Sequence, residues 1–497
     1  MRRWLITFLI GLAACASPVP VAPTDEPVPA GTATVAPDDL APYRAAMRPE
    51  FAGDVDRFAQ ATRYRIELTV SADLTTITGQ QQVRYTNTES APLDAVYFRL
   101  FANAESYGGR QQITALRVNG VDVKPALELK DTALKIKMNP PLPPGDAAEF
   151  EMEYTVAVPD ATVKAGYNQL GLHDGVLTLP NVYPIIPVYD DEGWSVGLAP
   201  GYGDAVYSDT ALYRVTITAP SDQIVAASGV CDVADAGSNR VWRCASGPMR
   251  DFMIAMSADY VVASEPVDGI TINSYALNQD VKAGQRALEY TVEAVASYQP
   301  RIGPYPFTEL DVLETPTTAG GIEYPGLIIV AARLYDDAPT QEFVTAHEVA
   351  HQWWYSLVGN NQVDEPWIDE ALTQYTSILY FRDRYGDDPA ALLVGEVFQS
   401  RYKQALSDGA DLRADLPVAS YSVSQYGEIV YGKAPLFFDA LYQAMGDAKF
   451  NAFLQTYFEA HRYGIATAQD LLDAAATQID RKTIDQLLKT WITTPDP

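Results

Sequence analysis

Hydrophobic and polar positions alternate through much of the first half of the chain. Tyr64-Arg65-Ile66-Glu67-Leu68-Thr69-Val70 has a period of two, as do residues 82–86, 149–154 and 212–217. Residues 96–100 alternate less cleanly, but their aromatic and branched side chains favour a strand. Proline and glycine punctuate these runs. The pattern predicts an all-β domain with mainly antiparallel pairing, ending near Ala263. Past Ile270 the period lengthens. Residues 280–298 read as an amphipathic helix, and 308–314 and 327–332 as strands. From 340 onward nearly everything is helical: 340–358, 364–385, 390–405, 432–445, 447–462, 466–479 and 484–492. Strands first and helices after describe an α+β second domain. No internal repeat is visible.

A length of 497 residues exceeds one hydrophobic core and implies two or three domains. With 47% hydrophobic residues, global disorder is excluded. The net charge of -29 repels nucleic acid and anionic surfaces, which removes nucleic-acid binding from the candidate functions. The acidity is read as the solubility of an exposed protein.

The N-terminus changes the picture further. Met1-Arg2-Arg3-Trp4 precedes a short apolar run over 5–14, the layout of a secretory signal and too short to anchor stably across a bilayer. Leu12-Ala13-Ala14-Cys15 resembles the bacterial lipobox, which implies removal of residues 1–14 and lipidation of Cys15. Residues 16–37 are rich in Pro, Ala, Val and Thr and read as an extended tether. The expected organisation is a signal peptide at 1–14, lipidated cysteine and tether at 15–55, β domain at 56–263 and catalytic domain at 264–497. The expected location is extracytoplasmic, on a bacterial cell-envelope membrane. Cys231 and Cys244 flank turn chemistry at 235–239 between two strand-like runs, and an exported compartment oxidises such a pair to a disulfide.

Candidate chemistry concentrates at Thr345-Ala346-His347-Glu348-Val349-Ala350-His351. The chain has four histidines, and two of them stand four apart here. On a helix they share a face, so both imidazoles reach one zinc ion. Glu348 follows the first of them, placed as a general base, and this spacing is a metallopeptidase signature. Glu370, in Trp367-Ile368-Asp369-Glu370-Ala371, offers the third ligand from a second helix, brought back by Gly359-Asn360-Asn361 and Pro366. A structural zinc site takes four protein ligands, often cysteines, and no cysteine is near. Trp353 and Trp354 read as core packing between the two helices.

From His347 to Glu370 the chain resembles the aminopeptidase N family of zinc metallopeptidases, gluzincins with the pattern H-E-x-x-H, eighteen residues, then E. Gly320-Gly321-Ile322-Glu323-Tyr324 resembles the family's G-x-M-E-N motif, with Ile322 for Met and Tyr324 for Asn. In the family that segment is a sheet edge whose backbone pairs with bound peptide while the glutamate holds the free α-amino group, so the resemblance gives Gly320, Gly321 and Glu323 to substrate binding. Val430-Tyr431-Gly432-Lys433-Ala434 resembles the Y-x-K-G region, with Ala434 for Gly, and gives Tyr431 the role of oxyanion stabiliser; Tyr426 is its nearest competitor. The resemblance implies a saddle-like N-terminal β domain, a thermolysin-like zincin catalytic domain, one Zn2+ ion and peptide substrates shortened from the N-terminus. Tyr324 departs from the pattern, and 170–194 lacks the usual segment that helps bind the substrate amine. An endopeptidase or oligopeptidase on the same scaffold therefore remains a reading. An inactive peptide-binding scaffold is a third, against which the retention of Glu348 and all three ligands weighs.

Overall fold

The computed structural model describes residues 39–159, 167 and 170–495. The signal segment, Cys15 and the start of the tether lie outside the described residues. Within them, no helix is long and apolar enough to cross a membrane.

The strand Arg63–Val70 buries every second residue, so one face of each such strand must find a core. The β domain solves this with an eight-stranded sheet running, from edge to edge, 230–236, 239–249, 211–220, 63–70, 76–86, 147–157, 110–118 and 121–122. Pairing is antiparallel apart from Arg63–Val70 against Ala211–Pro220. Smaller sheets of two, three and four strands complete the domain. Its core holds the stacked rings of Tyr64 and Tyr213, 4.7 Å apart, with Tyr183 edge-on to both. Their hydroxyls are not wasted: the Ile186 and Phe252 amides donate to Tyr64 and Tyr183 at 2.9 Å each. Cys231 and Cys244 face each other across neighbouring strands and form a disulfide.

The second domain opens with a five-stranded sheet ordered 260–267, 270–277, 309–315, 327–331 and 321–322. Ile270–Leu277, Glu309–Thr315 and Leu327–Ala331 are parallel neighbours; the short strand Gly321–Ile322 is antiparallel and lies at the edge. Helix Val281–Arg301 packs on this sheet, and a helical body follows whose core includes Trp353, Trp354, Trp367 and Tyr375. This is the α+β order expected, strands first and helices after.

Three details differ from the sequence reading. Residues 41–45 and 49–58, placed largely in the tether, are helical, and Tyr43, Met47 and Val55 of this segment insert into the core of the second domain. The surrounding proline and alanine mask these few anchors. The catalytic sheet already begins with Tyr260–Val267, ahead of the boundary expected at 264. The helix expected over 340–358 stops at Ala350, with His351 as its C-terminal cap. From there the chain turns back on itself, Ser356 N–H donating to the His351 carbonyl and Val358 N–H to that of Trp353.

Lys433 ties the helical body together. Its side chain is 0% exposed, and Nζ donates to Asp411 Oδ1 at 2.7 Å and to the carbonyls of Leu412 and Thr494 at 2.9 and 2.8 Å. A buried cation is tolerable only with such a set of acceptors. Lys433→Met removes the cation from Asp411 and the shared donor from two carbonyls, and is expected to lower stability by about 3–5 kcal/mol, read by chemical denaturation against the wild type.

Candidate metal centre

Helix Ala338–Ala350 starts under a side-chain cap, Asp337 accepting from the Thr340 amide and hydroxyl. It carries His347 in its last turn. His351 follows one turn later from the cap position, so both rings project the same way, 4.6 Å between centroids. Helix Trp367–Tyr385 supplies Glu370 from its first turn, where the helix dipole favours a carboxylate. Trp354, buried at the turn, bonds this second helix through Nε1 to Thr376 Oγ1 at 3.0 Å, and Trp353 bonds the Gly303 carbonyl. Trp354 therefore fixes the approach of the two ligand-bearing elements, while Trp353 ties the turn to the end of helix Val281–Arg301.

The three ligand atoms form a small triangle. His347 Nε2 and His351 Nε2 are 3.1 Å apart, and Glu370 Oε2 is 3.4 and 3.3 Å from them. Zinc bonds of about 2.0–2.1 Å in a tetrahedron put ligands roughly 3.3 Å apart. Glu370 Oε2 is buried with no hydrogen-bond partner among the described residues, while Oε1 accepts from the Tyr431 hydroxyl. The unpartnered oxygen therefore faces both imidazole nitrogens. His351 Nδ1 donates to the Trp354 carbonyl at 2.9 Å, which leaves its Nε2 lone pair for a cation. The donor set fits one zinc ion.

Electrostatics argue the same way. Burial, and then the Glu323 charge, push Glu348 well above the usual carboxylate range. Burial and the Glu370 charge raise Asp369 to about 7. Burial, Glu323 and Glu370 raise Asp204 strongly. Burial pulls His347 down to about 4. It pulls on His351 too, but the charges of Glu323, Glu370 and Glu348 outweigh it and hold that ring well above its ordinary value. Burial likewise opposes ionisation of Glu370, yet the facing His347 and His351 rings prevail and keep it below the carboxylate range. Crowded carboxylates of this kind demand positive charge, which a divalent cation and an ammonium both supply.

The other residues singled out by sequence surround this triangle. Gly321 is on the edge strand, and its bare Cα is where Glu348 rests: a Cβ there would overlap the Glu348 carboxylate, whereas Gly320 has only Val344 at ordinary contact distance. The glycine thus makes room for the expected base. Glu323 follows the strand, its Oε1 accepting from Gln362 Nε2 at 3.2 Å, and its carboxylate lies within 4.8 Å of ligand atoms of His351 and Asp369. Tyr431 sits in a π-helical turn, Ile429–Lys433, its ring 6.0 Å from that of His347. Tyr426 meets it edge-on at 5.6 Å, with a buried hydroxyl that bonds nothing described. His173 and His461 lie away from the site, on a strand in the β domain and at a helix end.

Sequence reasoning missed four neighbours. Gln352 accepts from the Gly326 amide at 2.9 Å and donates to the Tyr324 carbonyl at 3.1 Å, tying the metal helix to the turn behind Glu323. Gln362 bridges Glu323 and Asp369. Asp369 is adjacent to a ligand, and its Oδ1 accepts from Asn360 at 3.0 Å. Asp204 comes from the β domain and lines the same small cavity as Glu323, Tyr324, Tyr355 and Asp251. Only Asp369 and Gln352 carried a signal, by touching the motif in sequence.

Comparison with known proteins fits this geometry. Residues 286–491 match the model of the peptidase family M1 domain. Aminopeptidase M1-B of Oryza sativa subsp. japonica is 24% identical over 299 residues, covering 56% of this chain and 34% of its own. Aminopeptidase N of Lactobacillus delbrueckii subsp. lactis is 29% identical over 212 residues, covering 39% and 24%. The chain thus spans about a third and about a quarter of the length of these curated relatives. The crystal structure of an M1 zinc metallopeptidase from Deinococcus radiodurans superposes with a TM-score of 0.64 at 17% identity, over 88% of this chain and 95% of that one. A mutant of that enzyme bound to a Tyr-Ser-Ala substrate gives 0.63 at 17% identity, over 88% and 96%. These structures share the two-domain fold.

Zinc that binds only the folded chain raises its stability by about 2.7 kcal/mol at a hundredfold excess over Kd. The unfolding midpoint is expected to rise with zinc, fall with a chelator and become insensitive to both in Glu370→Ala, as checked by calorimetry.

Proposed function

We propose that this chain is a zinc-dependent aminopeptidase of peptidase family M1, a reading supported by the match of residues 286–491 to the model of that family's domain and by the two-domain fold shared with the M1 zinc metallopeptidase from Deinococcus radiodurans. The observation that carries the reading is the position of Glu323: a buried carboxylate at the end of an edge strand, beside His351, where a peptide lying along Gly321–Ile322 would place its free ammonium. His347, His351 and Glu370 hold the ion, and zinc bound there supplies Lewis acidity, lowering the pKa of water and polarising a carbonyl.

The chain's own groups do the rest. Backbone pairing along the edge strand aligns the substrate without reading its side chains. Glu323 neutralises and fixes the α-amino group, which sets cleavage one residue in, and Asp204 and Asp369 deepen the negative potential around it. Glu348, held against Gly321, takes the proton of the attacking water. The same carboxylate then passes the proton to the leaving amine. Tyr431, kept protonated by burial and the Glu370 charge, exchanges its hydrogen bond to Glu370 for one to the developing oxyanion. The wall of carboxylates at Glu323 supports an exopeptidase over an endopeptidase.

We also place the protein outside the cytoplasm, tethered by lipid at Cys15. The lipobox-like segment and the disulfide between Cys231 and Cys244 support this. Cys15→Ser is expected to move the protein from the membrane fraction to the soluble one.

The function is tested with free and N-acetylated aminoacyl-coumarin amides. Chelator-sensitive release from the free substrates alone is expected; equal cleavage of both forms would remove the exopeptidase assignment. Gly321→Ala pushes Glu348 from its seat and is expected to lower kcat on the order of 100-fold with zinc content unchanged, measured by steady-state kinetics alongside metal analysis.

A further inference from the structure

The ligand His351 is oriented from outside the metal triangle. Its Nδ1 donates to the Trp354 carbonyl at 2.9 Å. That carbonyl belongs to the peptide unit leading into Tyr355, and Tyr355 has φ of 132°, a region sparsely populated by residues with a Cβ. Rotation about the Tyr355 N–Cα bond turns this peptide unit. The carbonyl therefore points at His351 only while Tyr355 keeps an unfavourable backbone conformation.

Both polar ends of Tyr355 are gripped by consecutive residues of the β domain. Arg250 Nε donates to the Tyr355 carbonyl at 2.7 Å. The Tyr355 hydroxyl donates to Asp251 Oδ2 at 2.9 Å. Arg250 is itself pinned, Nη1 to the Ser208 carbonyl at 3.3 Å and Nη2 to that of Gly464. Its guanidinium lies against Gly359, where a Cβ would collide with it. Arg250, Asp251 and Tyr355 are 2%, 1% and 5% exposed, so the contacts compete with little water.

We propose that Arg250 and Asp251 form a clamp across the domain boundary that holds Tyr355 in its strained conformation and so positions His351 to bind zinc. All three are positioning residues, and the β domain is then part of the metal site although it contributes no ligand. A strained residue persists only where its surroundings over-determine it. Here the surroundings are the local turn, in which the Tyr355 amide donates to the Val358 carbonyl at 2.9 Å, and two hydrogen bonds from another domain, and the beneficiary is the tautomer of a ligand histidine.

The inference rests on the zinc reading, and the test separates the two. Zinc dissociation constants are measured by competition with a chromogenic chelator for wild type, Tyr355→Phe, Tyr355→Gly, Asp251→Ala and the double variant Asp251→Ala/Tyr355→Phe. Tyr355→Phe keeps the ring, the strain and the Arg250 bond to the backbone carbonyl but loses the bond to Asp251, and is expected to bind zinc about 10- to 100-fold more weakly. Tyr355→Gly adopts the same φ without strain, and is expected to bind more tightly than Tyr355→Phe despite losing the whole side chain. Simple loss of packing gives the opposite order, and that order overturns the clamp. Should the glycine variant not fold, the double variant decides: affinity equal to that of either single variant supports the clamp, and additive losses overturn it. Wild-type zinc affinity in Tyr355→Phe overturns the clamp alone. A wild-type chain that binds no zinc overturns the metallopeptidase reading and the clamp with it.

Discussion

Five carboxylates, those of Asp204, Glu323, Glu348, Asp369 and Glu370, are drawn with two imidazoles into one poorly solvated cleft. Concentrating like charge where water is scarce costs free energy that must be offset locally. Gln362, Asn360 and the Tyr431 hydroxyl donate hydrogen bonds for that purpose. The remainder falls to cations that bind there. On the proposed reading, affinity for a metal ion and for a substrate ammonium would be two expressions of the same unrelieved charge.

Holding that charge in place shapes the fold around it. The metal helix, the second ligand helix, the edge strand and a loop of the β domain approach from four directions. Each contact between them is specific: Gln352 to the turn at 324–326, Trp354 to Thr376, Gly321 to Glu348, Arg250 to Tyr355. None of these contacts is interchangeable with generic apolar packing, because each places a polar atom or removes a side chain at the site itself. The β domain, which could have been a passive platform, lends Asp204 and Asp251 to the cavity beside Glu323.

Local patterns made the architecture legible before any coordinates. Period-two alternation over 64–70 and the helical spacing after 340 report burial of one face, which is a local property. The pair His347 and His351 was visible because a helix converts spacing in sequence directly into proximity, and Glu370 because its helix returns after a short connection. Asp204, Gln362 and Arg250 were not legible, because their partners lie in other elements and nothing nearby in sequence marks them. The helix end at Ala350 escaped for a different reason. Trp353, Trp354, Leu357 and Val358 continue an apolar pattern compatible with a helix, and tertiary contacts to Arg250 and Gly464 decide that the chain turns instead. Residues 41–58 were read largely as tether because proline and alanine outnumber the buried Tyr43, Met47 and Val55.

The edge strand Gly321–Ile322 also bears on what the proposed enzyme can ignore. A site that recognises main chain and a terminal charge is indifferent to most of the sequence it grips, and what it requires is a backbone with its hydrogen bonds unspent. Folded proteins have already committed theirs. Selectivity in such a site is set by the conformational state of the substrate, favouring frayed ends and fragments over intact domains, and it would make this protein a scavenger of degraded chains rather than a processor of particular ones.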